Sequence, residues 1–193
     1  MPGVWLIRHA PARENLEGTF MGQLDGEPDA VGLQAAATLA GTIEAGVVLC
    51  SPLRRAVLTA AAIFPRHRID HDDRLAERHL GDWQGRAKAD VRAESPEAFT
   101  EAGTLDLRVT PPGGESFDEL RARVHAVLSE IAARPADGRV AVVAHNAVLR
   151  TARILLGLTD VATASRTPER FAEPDLVVVA AAALAPLTAG EAA

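Results

Sequence analysis

Apolar residues in this chain fall into two kinds of run: short aliphatic blocks, and longer stretches that repeat every three to four positions. Val4-Trp5-Leu6-Ile7, Val47-Val48-Leu49-Cys50 and Val140 to Ala144 are blocks of the first kind, each bounded by charged or turn residues. Strands covered on both faces read this way, because neither face needs polar side chains. Residues 66–71 predict a short further strand, and Leu176 to Ala180 a last one.

Helices are expected between the blocks. Asp29 can cap a helix whose apolar positions Val31, Leu33, Ala36, Ala37, Ala40 and Ile43 share a face, with Gly46 as its end. Ser51-Pro52 reads as the N-cap and first position of a helix reaching about Phe64, where Pro65 stops it. Ser116 and Glu119 form a capping box ahead of Phe117, Leu120, Val124, Val127, Leu128 and Ile131, which follow helical spacing. Further helices are expected near Ala87–Ala93 and over Ala147 to Leu156, and Pro111-Pro112-Gly113-Gly114 is a hard break.

Strand–helix alternation of this kind predicts an α/β fold, a three-layer αβα sandwich around a mostly parallel sheet. Residues 1–185 are expected to form a single domain with a variable lid segment near 86–112, and 186–193 a disordered tail. Ligands of such sheets bind beyond the carboxyl ends of the strands, so those ends are where chemistry is sought.

Composition narrows the field. The net charge of −6 comes without a basic stripe, so no nucleic-acid partner is expected. The longest apolar stretch, around Leu176 to Pro186, is too short to span a bilayer. No leader-like segment is visible, and the single Cys50 cannot form an internal disulfide; both point to the cytoplasm. A homodimer through an exposed sheet edge is compatible with the pattern.

Three strand ends carry ionisable groups suited to phosphate. The first ends in Arg8-His9, the second runs into Arg54-Arg55, and the third ends in His145-Asn146. If the strands are parallel neighbours, these groups converge at one rim. Arginine forks match pairs of phosphate oxygens, and a helix N-terminus adds free N–H groups.

Taken in order, these segments resemble the histidine phosphatase superfamily, with its phosphoglycerate-mutase-like fold. Leu6-Ile7-Arg8-His9-Ala10 is similar to that family's opening Leu-Val-Arg-His-Gly, and Asn15 follows six residues after the histidine. Ser51-Pro52-Leu53-Arg54-Arg55-Ala56 is similar to its Ser-Pro-Leu-x-Arg-Ala block, which puts the family's arginine on Arg55. Glu77 with Gly81-Asp82-Trp83-Gln84-Gly85, then Gly113-Gly114-Glu115-Ser116 and Ala144-His145, complete the series. The resemblance spans about residues 4 to 157 and lies nearest the small phosphatases such as alpha-ribazole phosphatases.

The resemblance implies a metal-independent phosphatase acting on a small phosphorylated metabolite. His9 would attack phosphorus and become phosphohistidine. Arg8, Arg55 and His145 would hold the transferring oxygens, with Asn15, a backbone N–H near Gly22, and Asn146 as substrate contacts. Glu77 would protonate the leaving alcohol and then activate water. No metal or cofactor is implied, because fixed arginines supply the positive charge.

Three departures from the pattern carry physical expectations. Ala10 stands where the family has glycine; at a positive φ it would add on the order of 1 kcal/mol of strain. Asn146 stands where glycine is usual and could cap the following helix. Met21 should make one pocket wall more apolar. His67, His71 and His125 read as solvated, His79 as surface packing or a substrate contact, Arg150 as a structural ion pair, and Arg54 as a solvated neighbour. Alternatives to the phosphatase are a phosphoglycerate mutase, for which Arg92 and Arg108 would have to serve, and a binding module without turnover.

Overall fold

The computed structural model describes residues 3–135, 138–168, 170–178 and 184. The expected tail over 186–193 lies outside the described residues. Five strands make one sheet: β1 (Gly3–Arg8), β2 (Val47–Cys50), β3 (Ile69–His71), β4 (Val140–Ala144) and β5 (Pro174–Val178). Their order is β3-β2-β4-β1-β5, with all pairings parallel except β1 with β5, so the sheet is mostly parallel as expected.

Helices cover both faces. The strands alternate their side chains between two cores, which is the period of two that a pleated strand imposes. Val4 and Leu6 of β1 and Val140 and Val142 of β4 pack with α5 (Phe117–Ala132) and α6 (Asn146–Leu155). Ile7, Val48, Cys50, Ala141 and Val143 pack on the other face, against α2 (Ala30–Ala37) and α3 (Arg54–Ile63). Three shorter helices, α1 (Arg13–Leu16), α4 (Lys88–Glu94) and α7 (Val161–Arg166), lie in the connections. Phe20, Leu80, Trp83, Val91 and Ala98 form a small separate cluster under the segment that carries α4.

The capping box of α5 forms as expected: Ser116 Oγ accepts from Glu119 N at 3.2 Å, and Glu119 Oε2 accepts from Ser116 N at 2.8 Å. Three local expectations need correction. The helix after Asp29 ends at Ala37 and does not continue to Gly46. Beyond it the chain tightens into i to i+3 turns at Thr38, Leu39, Ala40 and Thr42, with Thr38 and Thr42 hydroxyls donating back to backbone carbonyls and Gly41 at φ 78°. Helix α3 starts two residues later than expected, with Leu53 in the capping position and no side-chain cap; the Ser51 hydroxyl is shared between Leu53 N and His145. Asn146 is the first residue of α6, with extended His145 before it, so Asn146 does not cap that helix.

Leu120 is fully buried in the α5 core. Leu120→Ala should cost about 2–5 kcal/mol through lost burial and the cavity left behind. The check is the midpoint of urea unfolding, with an unchanged m-value marking a pure stability loss.

Candidate active site

The pairing of β1 with β4 sets the site. Arg8 stands opposite Ala144, and His9 N donates to Ala144 O at 3.0 Å. On the other side of β4, Ser51 N donates to Val143 O at 3.0 Å. His9, Ser51 and His145 therefore leave three adjacent strands at one level. The His9 and His145 ring centroids lie 4.8 Å apart, tilted by 53°.

His9 is buried, and its Nδ1 lies 2.6 Å from the Ala10 carbonyl. A carbonyl can only accept, so Nδ1 carries the proton and Nε2 keeps its lone pair. Burial first, then the charges of Arg55 and Arg8, hold the His9 imidazole well below its ordinary 6.5, against the opposing pull of the Ala10 carbonyl. The Ala10 N–H donates to Thr59 Oγ1 at 2.9 Å, and that hydroxyl donates to Arg55 O at 2.6 Å. Ala10 has no positive φ; among the described non-glycine residues only Ala172 does. The strain expected of alanine after the histidine is therefore absent, and the residue sits fully buried.

Arg55 is also buried. Its Nη1 donates to Leu24 O and its Nη2 to Gly22 O, each at 2.7 Å. Its Nε is buried with no hydrogen-bond partner among the described residues. Burial lowers the Arg55 pKa, opposed chiefly by Glu77. Gly22, at φ 51°, thus contributes a carbonyl that fixes Arg55, and a Cβ there would come within 2.4 Å of Gln84 Oε1. Arg8 stacks its guanidinium 3.6 Å from the centroid of Phe171, whose edge also faces His9 at 5.7 Å.

His145 Nε2 lies 2.7 Å from Ser51 Oγ. That oxygen already accepts from Leu53 N at 3.2 Å, so its own proton is best used toward Nε2, leaving the His145 proton on Nδ1. Nδ1 is buried with no partner among the described residues. Burial, then His9, Arg55, Arg8 and Arg123, hold His145 well below 6.5. Glu77 Oε1 accepts from Arg78 N at 2.9 Å and from Ala147 N, in the first turn of α6, at 3.2 Å.

These groups surround one cavity of about 290 Å³. Arg8, His9, Asn15, Gly22, Arg55, Glu77 and Asn146 line it, whereas His145 is not among the lining residues and sits next to the His9 ring. Asn15 Oδ1 accepts from Ala12 N at 3.1 Å, which leaves its NH₂ as the donor end. Met21 lines the cavity as the expected apolar wall, together with Phe20, Leu80 and Phe99. Trp83 lies in the cluster behind that wall and His79 outside the lining. Arg54 is exposed and paired with Glu27 at 2.7 Å. Arg150 lines the cavity, with its Nε donating to the Ala164 carbonyl.

The sequence did not point to Phe171, Lys88 or Thr59 here. Phe171 lies far along the chain from Arg8, Lys88 sits in a segment without clear periodicity, and Thr59 looks like any interior helix residue. Among the described residues no group of three or more His, Cys, Asp or Glu side chains could hold a metal ion. No helix among them is long and apolar enough to cross a membrane.

Residues 4–169 match the family model described as histidine phosphatase superfamily (branch 1). The chain belongs to the histidine phosphatase superfamily. It is 36% identical over 171 residues to a metal-independent phosphoserine phosphatase of Arabidopsis thaliana, covering 83% of this chain and 70% of that one. A glucosyl-3-phosphoglycerate phosphatase of Mycobacterium tuberculosis is 35% identical over 133 residues, a match that spans 66% of this chain but only 59% of the relative. Among solved structures, a mycobacterial glucosyl-3-phosphoglycerate phosphatase complexed with VO3 superposes with a TM-score of 0.79 at 31% identity, covering 91% of this chain and 92% of that one. The expectations of a phosphoglycerate-mutase-like fold and of a phosphoric monoester hydrolase are borne out.

The two depressed histidines make stability pH-dependent. Unfolded, each takes up a proton near pH 6.5; folded, each stays neutral well below that. Below about pH 6.5 the unfolded state therefore binds more protons, and stability falls with decreasing pH by about 1.4 kcal/mol per unit for each histidine. Urea unfolding at pH 7.5 and 5.0 should show a larger loss for wild type than for His145→Gln, which removes one of the two groups. Equal losses would exclude His145 as a source.

Proposed function

We propose that this member of the superfamily hydrolyses a small phosphomonoester without a metal, through a phosphohistidine on His9. The observation that carries the reading is the 2.6 Å contact of His9 Nδ1 with the Ala10 carbonyl inside the arginine-lined cavity. It leaves Nε2 unprotonated, so a ring that lines the cavity keeps a lone pair. Such a contact is the requirement for a neutral imidazole nucleophile.

In the first step His9 Nε2 bonds to phosphorus as the ester P–O bond breaks. The leaving alkoxide takes a proton from Glu77. In the second step water loses a proton to Glu77, its oxygen bonds to phosphorus, and the N–P bond breaks to release inorganic phosphate. Arg8, Arg55 and the His145 Nδ1–H hold the equatorial oxygens, where fixed positive charge contributes most to phosphoryl transfer. Asn15 and Asn146 serve as substrate contacts, and Gly22 acts through the carbonyl that fixes Arg55. The α6 amide at Ala147 and the Arg78 amide keep the Glu77 carboxyl in place.

Residues 1–185 are read as one domain whose segment 86–112 covers the cavity. The setting is read as cytoplasmic, with a small phosphorylated metabolite as ligand and no nucleic-acid partner. The outer edges of β3 and β5 are where a homodimer could pair.

Two measurements test the mechanism. His9→Ala should abolish phosphate release from p-nitrophenyl phosphate in the presence of chelator, and wild type quenched during turnover should carry an acid-labile, base-stable phosphate. Chelator-resistant turnover that survives His9→Ala would sink the phosphohistidine. Glu77→Gln should lower kcat on alkyl phosphates by roughly 10²–10⁴, the usual contribution of a general acid. The loss should be far smaller for formation of phosphoenzyme from p-nitrophenyl phosphate, whose leaving group needs no proton.

A further inference from the structure

The active-site cavity does not end at the phosphate groups. On its α4 side it meets a second groove of about 420 Å³, and Lys88, Phe99 and Gly103 line both. Arg92 lines the groove as well. Lys88 and Arg92 are four residues apart on α4, so they project from the same face of one helix. Like charges at that spacing repel and destabilise a helix.

Other surface arginines of this region are matched. Arg86 pairs with Glu94, and Arg108 pairs with Asp106 at 2.6 Å. Lys88 and Arg92 have no carboxylate within ion-pair distance among the described residues. The Lys88 ammonium instead reaches over the Phe20 ring, 5.7 Å from its centroid. Lys88 as a residue is exposed, yet its ammonium is shielded enough that desolvation, followed by repulsion from Arg8, lowers its pKa. Two cations thus lie on one face of α4 where an already cationic cavity opens into the groove, and among the described residues no carboxylate pairs with either.

We propose that the alcohol portion of the substrate carries a second anionic group, which lies between Lys88 and Arg92 where the His9 cavity opens into this groove. This rests on the phosphatase reading above. The phosphoryl group belongs with Arg8, Arg55 and the two histidines, whereas the carbon skeleton passes Phe20 and Phe99. The second anion meets the α4 cations. Lysine as a point charge and arginine as a fork can share a single carboxylate.

The test uses matched esters that differ by a carboxylate: 3-phosphoglycerate against glycerol 3-phosphate, and O-phosphoserine against O-phosphoethanolamine. Wild type should favour the carboxylate member of each pair in kcat/KM. Lys88→Met and Arg92→Met should each reduce that preference about tenfold, the size of one charge-assisted hydrogen bond, with the loss in KM. Lys88→Arg should keep it. Equal rates for both members of each pair, or a Lys88→Met loss shared equally by both, would overturn the proposal. Calorimetric titration of His9→Asn with the same four esters reads the same preference without turnover. If wild type fails to hydrolyse p-nitrophenyl phosphate, the phosphatase reading falls, and the affinity ratios still decide the anion subsite. If that ester is hydrolysed and no ratio changes, only the subsite falls.

Discussion

Everything at the site depends on the parallel pairing of β4 between β1 and β2. The register that sets Arg8 opposite Ala144 and Cys50 opposite Val143 brings three chain segments to their last strand residue at one level. Side-chain direction alternates along a strand, so a slip of one residue would exchange the faces of both cores. Val4 and Leu6 would then compete for the space of Ile7, and the histidine would leave the rim. The apolar burial of the two faces therefore enforces the position of His9. The catalytic geometry is held by the hydrophobic core and not by contacts among the polar groups alone.

The next constraint is how to bury cations without cancelling them. A carboxylate partner would stabilise Arg55 but neutralise the charge that a phosphate needs. The carbonyls of Gly22 and Leu24 satisfy two of its nitrogens and leave its net charge intact. The loop that supplies them needs glycine at 22, where φ is 51° and Gln84 packs against the missing side chain. Arg78 is treated alike: its guanidinium donates to the carbonyls of Glu115, Leu107 and Val109, which ties the segments on either side of the Pro-Gly break to the loop that carries Glu77. Carbonyl dipoles fixed by the fold are preorganised, so little reorganisation is needed when the ligand's charge arrives.

What the sequence revealed follows from the range of the forces involved. The strands and the Ser116–Glu119 capping box were legible because each is a local pattern. Arg8, His9, Arg55, Glu77 and His145 were legible because each lies in a short ordered segment shared with the family. Ser51 reads locally as an N-cap because Ser-Pro precedes a helix, yet its hydroxyl bridges Leu53 N and His145, the latter 94 residues away. The early end of α2 depends on threonine hydroxyls turning back to carbonyls, a competition that apolar periodicity does not register. Phe171 over Arg8 and Lys88 over Phe20 are tertiary contacts with no local signature. The backbone angle at Ala10 was likewise unreadable, and it decided that alanine is tolerated there.

The paired histidines connect these points. Two imidazoles 4.8 Å apart, buried and flanked by arginines, cannot both carry charge at modest cost, so the fold keeps both neutral. Neutrality serves each differently because the second nitrogen of each ring is spoken for. Ala10 takes the His9 proton on Nδ1 and leaves Nε2 as a lone pair, whereas Ser51 meets His145 at Nε2 and leaves Nδ1 as a donor. One ring is thereby left with an acceptor nitrogen and the other with a donor, the complementary pair that the proposed phosphohistidine mechanism requires. An anion in the cavity that His9 lines offsets the repulsion from Arg55 and Arg8, which adds to burial in depressing both rings, so part of that electrostatic cost is returned as affinity for the ligand's charge.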